Sequence, residues 1–293
     1  MTTITTPLLL DWRSLLFVPA HVQRFIESAP KRGADAIILD LEDSVPSEVK
    51  PSARQQLATH LKLLDEQSQA ILVRINADVI NAVADIEVAV TQYTQALILP
   101  KVMGAEHIRL LDEAVTTLEN MRGIPAGNIR FIAMIETMEG LDNVKAIAQA
   151  CSRMAGLALG TEDLSLSGGF DATPENLMYP AQQLIYAARL ANINAYGFPG
   201  SIADYSDMAL FTQYQEKAKS MGFNGALCIH PLQVEPVNRT YAISSEELAQ
   251  AQRIIQAYEE AIEQGRGAVE VDGKMVDAPV VERALKIKQR ASR

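Results

Sequence analysis

Eight short aliphatic runs, separated by longer amphipathic segments, constrain this chain more than any other feature. They are Ser14–Val18, Ala36–Leu41, Ala70–Ile75, Ala96–Leu99, Arg130–Ile135, Gly156–Leu159, Ile193–Tyr196 and Ala226–Ile229. Apolar and polar residues do not alternate within them, so both faces of each strand need cover, as in a parallel sheet. The segments between them read as helices. Pro51–Leu64 opens on a proline, where no N–H is needed. Gly140–Cys151, Pro174–Ala191 and Asp204–Met221 carry apolar residues three and four apart. Eight strand–helix units predict an α/β fold, a (β/α)8 TIM barrel rather than an open sheet.

Past Pro231 the pattern changes. Ser244-Ser-Glu-Glu247 has the form of a helix start, and that helix should reach about Gln264. A hairpin-like segment follows over Gly265–Pro279, then a last helix over Val280–Ala291. The expected organisation is a barrel over residues 1–240 and a C-terminal extension over 241–293.

Composition narrows the function classes. The net charge of −10 opposes binding to nucleic acid or to a membrane surface, both of which carry phosphate. The two cysteines, Cys151 and Cys228, form no spacing pattern, and Cys228 sits in an apolar run, so a reduced thiol is expected. The N-terminal MTTITTPLLLDWRSLLFVPA lacks a basic leader region and is interrupted by Asp11 and Arg13. Neither a signal peptide nor a membrane span is expected, and the cytoplasm is the default location.

A barrel places its chemistry at the C-terminal ends of its strands. Strand two ends in Asp40, Glu42 and Asp43; strand three in Arg74 and Asn76. Lys101 follows strand four, Glu136 strand five, Glu162 and Asp163 strand six, and His230 strand eight. Glu136 and Asp163 come from adjacent strands, and two carboxylates with room for water suit Mg2+. Four His and two separate Cys support no zinc-type cluster. The bland alternative is a structural network of these acids with Arg74 and Lys101. Arg74 can grip a substrate carboxylate, stabilise an enolate oxygen or pair with Asp40 or Glu42. Lys101 is either a Schiff-base lysine or a charge partner of the acids. His230 either orients ligand or caps the barrel. The stretch Gly160–Gly169 reads as a small-residue loop; no dinucleotide fingerprint or P-loop occurs.

Several of these pieces recur together. Arg13-Ser-Leu-Leu-Phe-Val-Pro19, Leu39-Asp-Leu-Glu-Asp-Ser-Val45, Val73-Arg-Ile-Asn76, Leu99-Pro-Lys101, Ile135-Glu-Thr137, Gly160-Thr-Glu-Asp163 and Cys228-Ile-His-Pro231 stand in this order. Over Arg13 to about Asn238 the chain resembles the citrate lyase β-subunit-like (HpcH/HpaI aldolase/citrate lyase) family. Met275-Val-Asp-Ala278 resembles the tail of its citramalyl-CoA and malyl-CoA lyase branch. The resemblance implies a Mg2+-dependent carbon–carbon lyase acting on a CoA thioester. It implies Glu136 and Asp163 as metal ligands, Glu42 and Asp43 as holders of metal-bound water, and Arg74 beside the reacting carbonyl. Asp40 and Lys101 fall behind these, Asp40 as the partner of a cation such as Arg74. Arg24 matches a CoA-associated position, and Asp277 matches an acid/base donated by a neighbouring subunit, which implies a homo-oligomer, a trimer or hexamer. One departure is Ala195–Ser201, which lacks an Asp that relatives often carry. The implied reaction is cleavage of (3S)-citramalyl-CoA to pyruvate and acetyl-CoA. The alternatives are L-malyl-CoA cleavage, a CoA-independent aldolase, or a citrate lyase β chain working in a complex.

Overall fold

The computed structural model describes residues 11–203 and 205–291. The expectations for the first ten residues and for a helix start at 204 therefore lie outside the described residues. Two compact units are present, Met1–Tyr241 and Ala242–Arg293.

In the first unit the strands are β1 Ser14–Pro19, β2 Ala36–Asp40, β3 Ala70–Arg74, β4 Ala96–Leu99, β5 Arg130–Ile135, β6 Met154–Leu159, β7 Asn194–Tyr196 and β8 Ala226–Cys228. All are parallel, in the order β7-β6-β5-β4-β3-β2-β1-β8. A bridge between Tyr196 and Gly225 brings β7 to the start of β8, with the Gly197 N–H donating to the Gly225 carbonyl at 2.9 Å. The fold is the expected (β/α)8 barrel.

Its helices are α1 Gln23–Ser28, α2 Lys50–Asp65, α3 Val79–Ala89, α4 Ala105–Met121, α5 Met138–Asp142, α6 Val144–Ala148, α7 Thr161–Gly168, α8 Pro174–Ala191, α9 Met208–Met221 and α10 Val234–Tyr241. The expected single helix over Gly140–Cys151 is two short ones, α5 and α6, meeting at Asn143, whose Nδ2 donates to the Met103 carbonyl. The expected loop over Gly160–Gly169 is the helix α7, because its Leu164 and Ser165 are buried one turn after Thr161. No helix of the described residues is long and apolar enough to cross a membrane.

Alternate strand residues divide the core into two layers. Leu15, Ile38, Leu72, Ile98, Ile132 and Leu227 fill the barrel lumen. Leu16, Ile37, Leu39, Val73, Leu97 and Phe131 face the helices. A buried ion network pins α4 to the outside: Arg153 donates to both oxygens of Glu119, at 2.6 and 2.8 Å, and to Asp112 at 2.5 Å. Burial pushes the Glu119 carboxyl up, but Arg153 and the N–H groups of Ile129 and Gly127 outweigh it and hold the group below its ordinary 4.5. Stability from this lowered acid is complete above the unfolded value and is lost as pH falls toward the folded one. Glu119→Gln is expected to cost about 3–5 kcal/mol at neutral pH, since it leaves a buried guanidinium short of charge. Denaturant unfolding at pH 7 and pH 3 checks this, and the gap between variant and parent should narrow at pH 3.

The second unit comprises α11 Ser245–Glu263, β9 Val269–Val271, β10 Lys274–Val276 and α12 Ala278–Ala291. The start of α11 is a reciprocal cap between Ser244 and Glu247. Strands β9 and β10 are antiparallel and joined at Asp272-Gly273, both at positive φ, the backbone that a two-residue hairpin turn requires. Ala251, Ile255, Val276, Val281 and Ala284 form a small core of their own.

Candidate active site

Strand β2 ends in Asp40, and the chain then turns so that Glu42 stays on the same side while half of the Asp43 side chain remains exposed. Asn76, just past β3, fixes that turn. Its Nδ2 donates to the Leu41 carbonyl at 2.9 Å and to Asp85 of α3 at 2.6 Å, and Arg54 of α2 holds the other Asp85 oxygen at 2.6 Å. The acids are thus placed from behind by a buried polar relay.

Arg74 is the hub of the cluster. Its Nε and Nη2 donate to the two oxygens of Asp40 at 2.6 and 2.7 Å, a bidentate grip. Its Nη1 stands 3.1 Å from Glu42 and 3.4 Å from Asp43, and its guanidinium carbon lies 4.6 Å over the Phe17 ring. Burial pushes Asp40 up, but Arg74, Ser44 and the Glu42 N–H outweigh it and keep its carboxyl ionised below the ordinary range. Burial opposes the Arg74 charge, while Asp40, Glu42 and Asp43 raise its pKa beyond the usual value.

Lys101 connects Glu136 to Glu42 and Asp43. It sits at φ 48°, a left-handed backbone that suits few side chains. From there its N–H donates to Glu136 Oε2 at 2.8 Å, while its Nζ reaches Glu42 at 2.9 Å and Asp43 at 3.3 Å. This makes Lys101 a charge partner: burial opposes its charge, but Glu42, Asp43 and Asp163 push its pKa upward. A Schiff-base lysine needs the opposite shift.

Glu136 follows β5 and is buried. Burial raises its carboxyl to about 7, with Glu42 and Asp163 adding to the rise. Glu42 is also lifted to about 7 by burial, and its Oε2 accepts no hydrogen bond in the described structure. Five carboxylates, Asp40, Glu42, Asp43, Glu136 and Asp163, therefore share two cations, Arg74 and Lys101. The donors are all oxygens, and the local charge is short of a cation. That is the chemistry of a hard divalent ion held by one or two carboxylates and otherwise by water. Among the described residues, no group of three or more His, Cys, Asp or Glu is arranged to hold a metal ion.

Glycine at 160 is required by this arrangement. A Cβ there would stand 2.4 Å from Glu136 Cγ and 2.5 Å from its Oε1. Gly160→Ala is expected to displace the carboxylate, lowering turnover by about a hundredfold and stability by about 1–3 kcal/mol. Steady-state kinetics beside a thermal melt measure the two effects separately.

A cavity of about 420 Å³ joins these groups. Asp40, Asp43, Arg74, Glu136, Glu162 and Asp163 supply its charged lining, and Phe17, Met134, Leu159, Ile202 and Leu227 are among its apolar walls. Arg24 does not line it: it lies exposed on α1, 4.9 Å over the Phe25 ring. Asp277 belongs to the second unit, where its carbonyl accepts the N–H groups of Val280 and Val281 at the start of α12. His230 acts as a cap, its Nδ1 accepting the Leu232 N–H, with its ring stacked 4.5 Å from Tyr205. Phe17 and Ser44, which lie inside the recurring motifs, and Ser201 join the site although the sequence assigned them no role. Ser44 donates to Asp40, and Ser201 to Glu162 at 2.6 Å.

The model of the HpcH/HpaI aldolase/citrate lyase family matches residues 13–231. The chain belongs to that family. Membership makes it an enzyme of the citrate lyase β-like type, a group of lyases and CoA thioesterases, on a TIM barrel. The citrate lyase subunit beta of Leuconostoc mesenteroides subsp. cremoris is 35% identical over 96% of this chain and 93% of its own length. The (3S)-malyl-CoA thioesterase of Cereibacter sphaeroides strain ATCC 17023 is 34% identical over 91% of this chain and 90% of its own. Among solved structures, the Mycobacterium tuberculosis protein CitE, in complex with magnesium, acetoacetate and coenzyme A, is 28% identical with a TM-score of 0.76. That likeness covers 97% of this chain and all of the other.

Proposed function

We propose that this protein is a Mg2+-dependent lyase that cleaves a 3-hydroxyacyl-CoA, specifically (3S)-citramalyl-CoA, to pyruvate and acetyl-CoA. The observation that carries the reading is the mixed lining of the cavity. Carboxylates short of a cation lie beside apolar walls, and Arg74 is the only cation among the described lining residues. Such a site suits a metal-chelating hydroxyacid carrying a small apolar substituent. The complex of the M. tuberculosis protein with magnesium and coenzyme A supports both the metal and the thioester.

Glu136 and Asp163 would hold the ion, with Glu42 and Asp43 turned toward its waters. When bound, Mg2+ supplies a Lewis acid at the oxygens of the 2-oxoacid half. The rest of the chemistry falls to side chains. In cleavage the hydroxyl proton would pass to one of the carboxylates lining the cavity, and the C–C electron pair to the thioester as an enolate. Arg74 has five N–H donors and spends two on Asp40 and one on Asp43, which leaves two for developing oxyanion charge. Asp277, supplied across a subunit interface of a homo-oligomer, returns a proton to the enolate carbon, and Arg24 meets the CoA moiety. Asp277→Asn is expected to lower turnover by about 10²–10⁴-fold with the affinity for Mg2+ unchanged. Near-normal turnover in that variant would remove Asp277 from the mechanism.

Two relatives favour other substrates. The Leuconostoc match extends through most of the C-terminal unit, so the extension does not distinguish a free CoA lyase from a citrate lyase β chain. The thioesterase likeness allows hydrolysis in place of C–C cleavage. The deciding experiment offers citramalyl-CoA, malyl-CoA, citryl-CoA and the free acids, with Mg2+ or EDTA, and measures acetyl-CoA, 2-oxoacid and free CoA. Acetyl-CoA and pyruvate from citramalyl-CoA, abolished by EDTA, support the proposal. Free CoA without 2-oxoacid indicates a thioesterase, and activity confined to citryl-CoA indicates the β-chain role. Borohydride trapping of pyruvate on Lys101 would overturn the metal mechanism.

A further inference from the structure

We infer that Ile202, on the loop after β7, sets which substituent the cleaved carbon of the substrate can carry. This rests on the lyase reading above. In that chemistry the carbon bears a hydroxyl, a carboxylate, the thioester arm and one further group. The further group is hydrogen in a malyl thioester, methyl in a citramalyl thioester and carboxymethyl in a citryl thioester. The polar groups belong with the acids and Arg74, and the thioester arm must lead outward, so the fourth substituent meets the apolar lining.

Few of the large apolar side chains in that lining are both free and fixed. Phe17 is covered by the Arg74 guanidinium at 4.6 Å, Met134, Leu159 and Leu227 are strand residues only 2–4% exposed, and Ile229, 42% exposed, is not among the side chains packed on the barrel core. Ile202 is half-buried and packs against both layers of the barrel core while lining the cavity. It is also held in place. Its carbonyl accepts from Gln233 Nε2 at 3.1 Å, and the fully buried Gln233 takes the N–H groups of Ile229 and His230 at 2.8 and 3.1 Å. On its other side Ser201 donates to Glu162 of α7 at 2.6 Å and accepts the Ala203 N–H. The loop is tied to the ends of two strands, so Ile202 is a fixed wall.

Charge sharpens the selection. A carboxymethyl group would bring another carboxylate among Asp40, Asp43, Glu136, Glu162 and Asp163, with Arg74 already engaged by Asp40. An unpaired carboxylate is poorly tolerated in such a place. Hydrogen in place of methyl forfeits the apolar contact, a difference of about 10–200-fold per carbon in a close-fitting site.

The test measures Mg2+-dependent binding of glyoxylate, pyruvate, 2-oxobutyrate and oxaloacetate by calorimetry, beside cleavage of the three thioesters. The proteins are the parent, Ile202→Ala and Ile202→Arg, with thermal melts to confirm folding. The parent should prefer pyruvate over oxaloacetate by about tenfold or more. Ile202→Arg should shrink or reverse that ratio, and Ile202→Ala should raise 2-oxobutyrate relative to pyruvate. The alanine variant alone decides if the arginine variant does not fold. A ranking unchanged from the parent in the folded variants overturns the assignment of Ile202. A shifted 2-oxoacid ranking in a protein that cleaves no thioester keeps Ile202 as the selector and overturns the lyase reading instead.

Discussion

Glu136→Gln is expected to lower lyase turnover by about 10²–10⁴-fold, because a Lewis acid held by this carboxylate is worth several kcal/mol at about 1.4 kcal/mol per factor of ten. The substitution is nearly isosteric. Gly160 still leaves room for the side chain, and the amide oxygen can still accept the Lys101 N–H that Glu136 accepts at 2.8 Å. What changes is charge. Calorimetry should show weakened Mg2+ binding, and a variant that binds the ion as tightly as the parent would place the metal elsewhere. Stability without Mg2+ should move the opposite way. Burial raises the Glu136 pKa to about 7, so ionising it in the folded protein is unfavourable. A raised acid pKa makes the folded state the stronger proton binder, and the parent loses stability as pH rises from the unfolded value of about 4.5 through 7. The glutamine variant escapes that loss. Its melting-temperature advantage should be small at pH 5, larger at pH 8, and reduced when Mg2+ is added. A site selected for metal binding is expected to carry such a cost when empty.

The strands were legible because the signal is a local one. A continuous aliphatic run needs cover on both faces, and that demand alone located all eight, within one or two residues at most ends. The acids were legible because a strand end limits where a side chain can point. Asp40 was expected to find a cation such as Arg74, and does so through two hydrogen bonds. What the sequence hid is contact between distant segments. Nothing local marks Phe17 as the ring beneath Arg74, or Gln233 as the tie that holds Ile202. The Gly160–Gly169 stretch misled for a different reason. Its small residues suit a loop, yet packing of Leu164 and Ser165 outweighs their weak propensity and makes α7. The glycine that mattered was the one beside Glu136, and only the approach of that side chain reveals why.

Arg74→Lys keeps a positive charge at the hub, yet it is expected to cost about 10²–10³-fold in turnover, the usual loss when one preorganised donor to a developing oxyanion is removed. An ammonium cannot span both Asp40 oxygens, which Nε and Nη2 now reach at 2.6 and 2.7 Å, nor lie flat on Phe17 at 4.6 Å. Arg74→Met goes further. It leaves Asp40, 1% exposed, as a buried charge without its cation, and should destabilise the fold by about 3–5 kcal/mol. Stability and catalysis can be separated by a cycle with Asp40→Asn. If Arg74 serves only as the counterion of Asp40, the variants Asp40→Asn and Arg74→Lys should lose turnover in proportion to stability, and the double variant should lose little more. If Arg74 also faces the reacting oxygen, Arg74→Lys should lose turnover well beyond its effect on the melt, while Asp40→Asn keeps most of its rate per folded molecule. Near-parent kcat/KM in a folded Arg74→Lys protein would leave the cluster as a structural knot of charges. The electrophile of the reaction would then have to come from the metal alone.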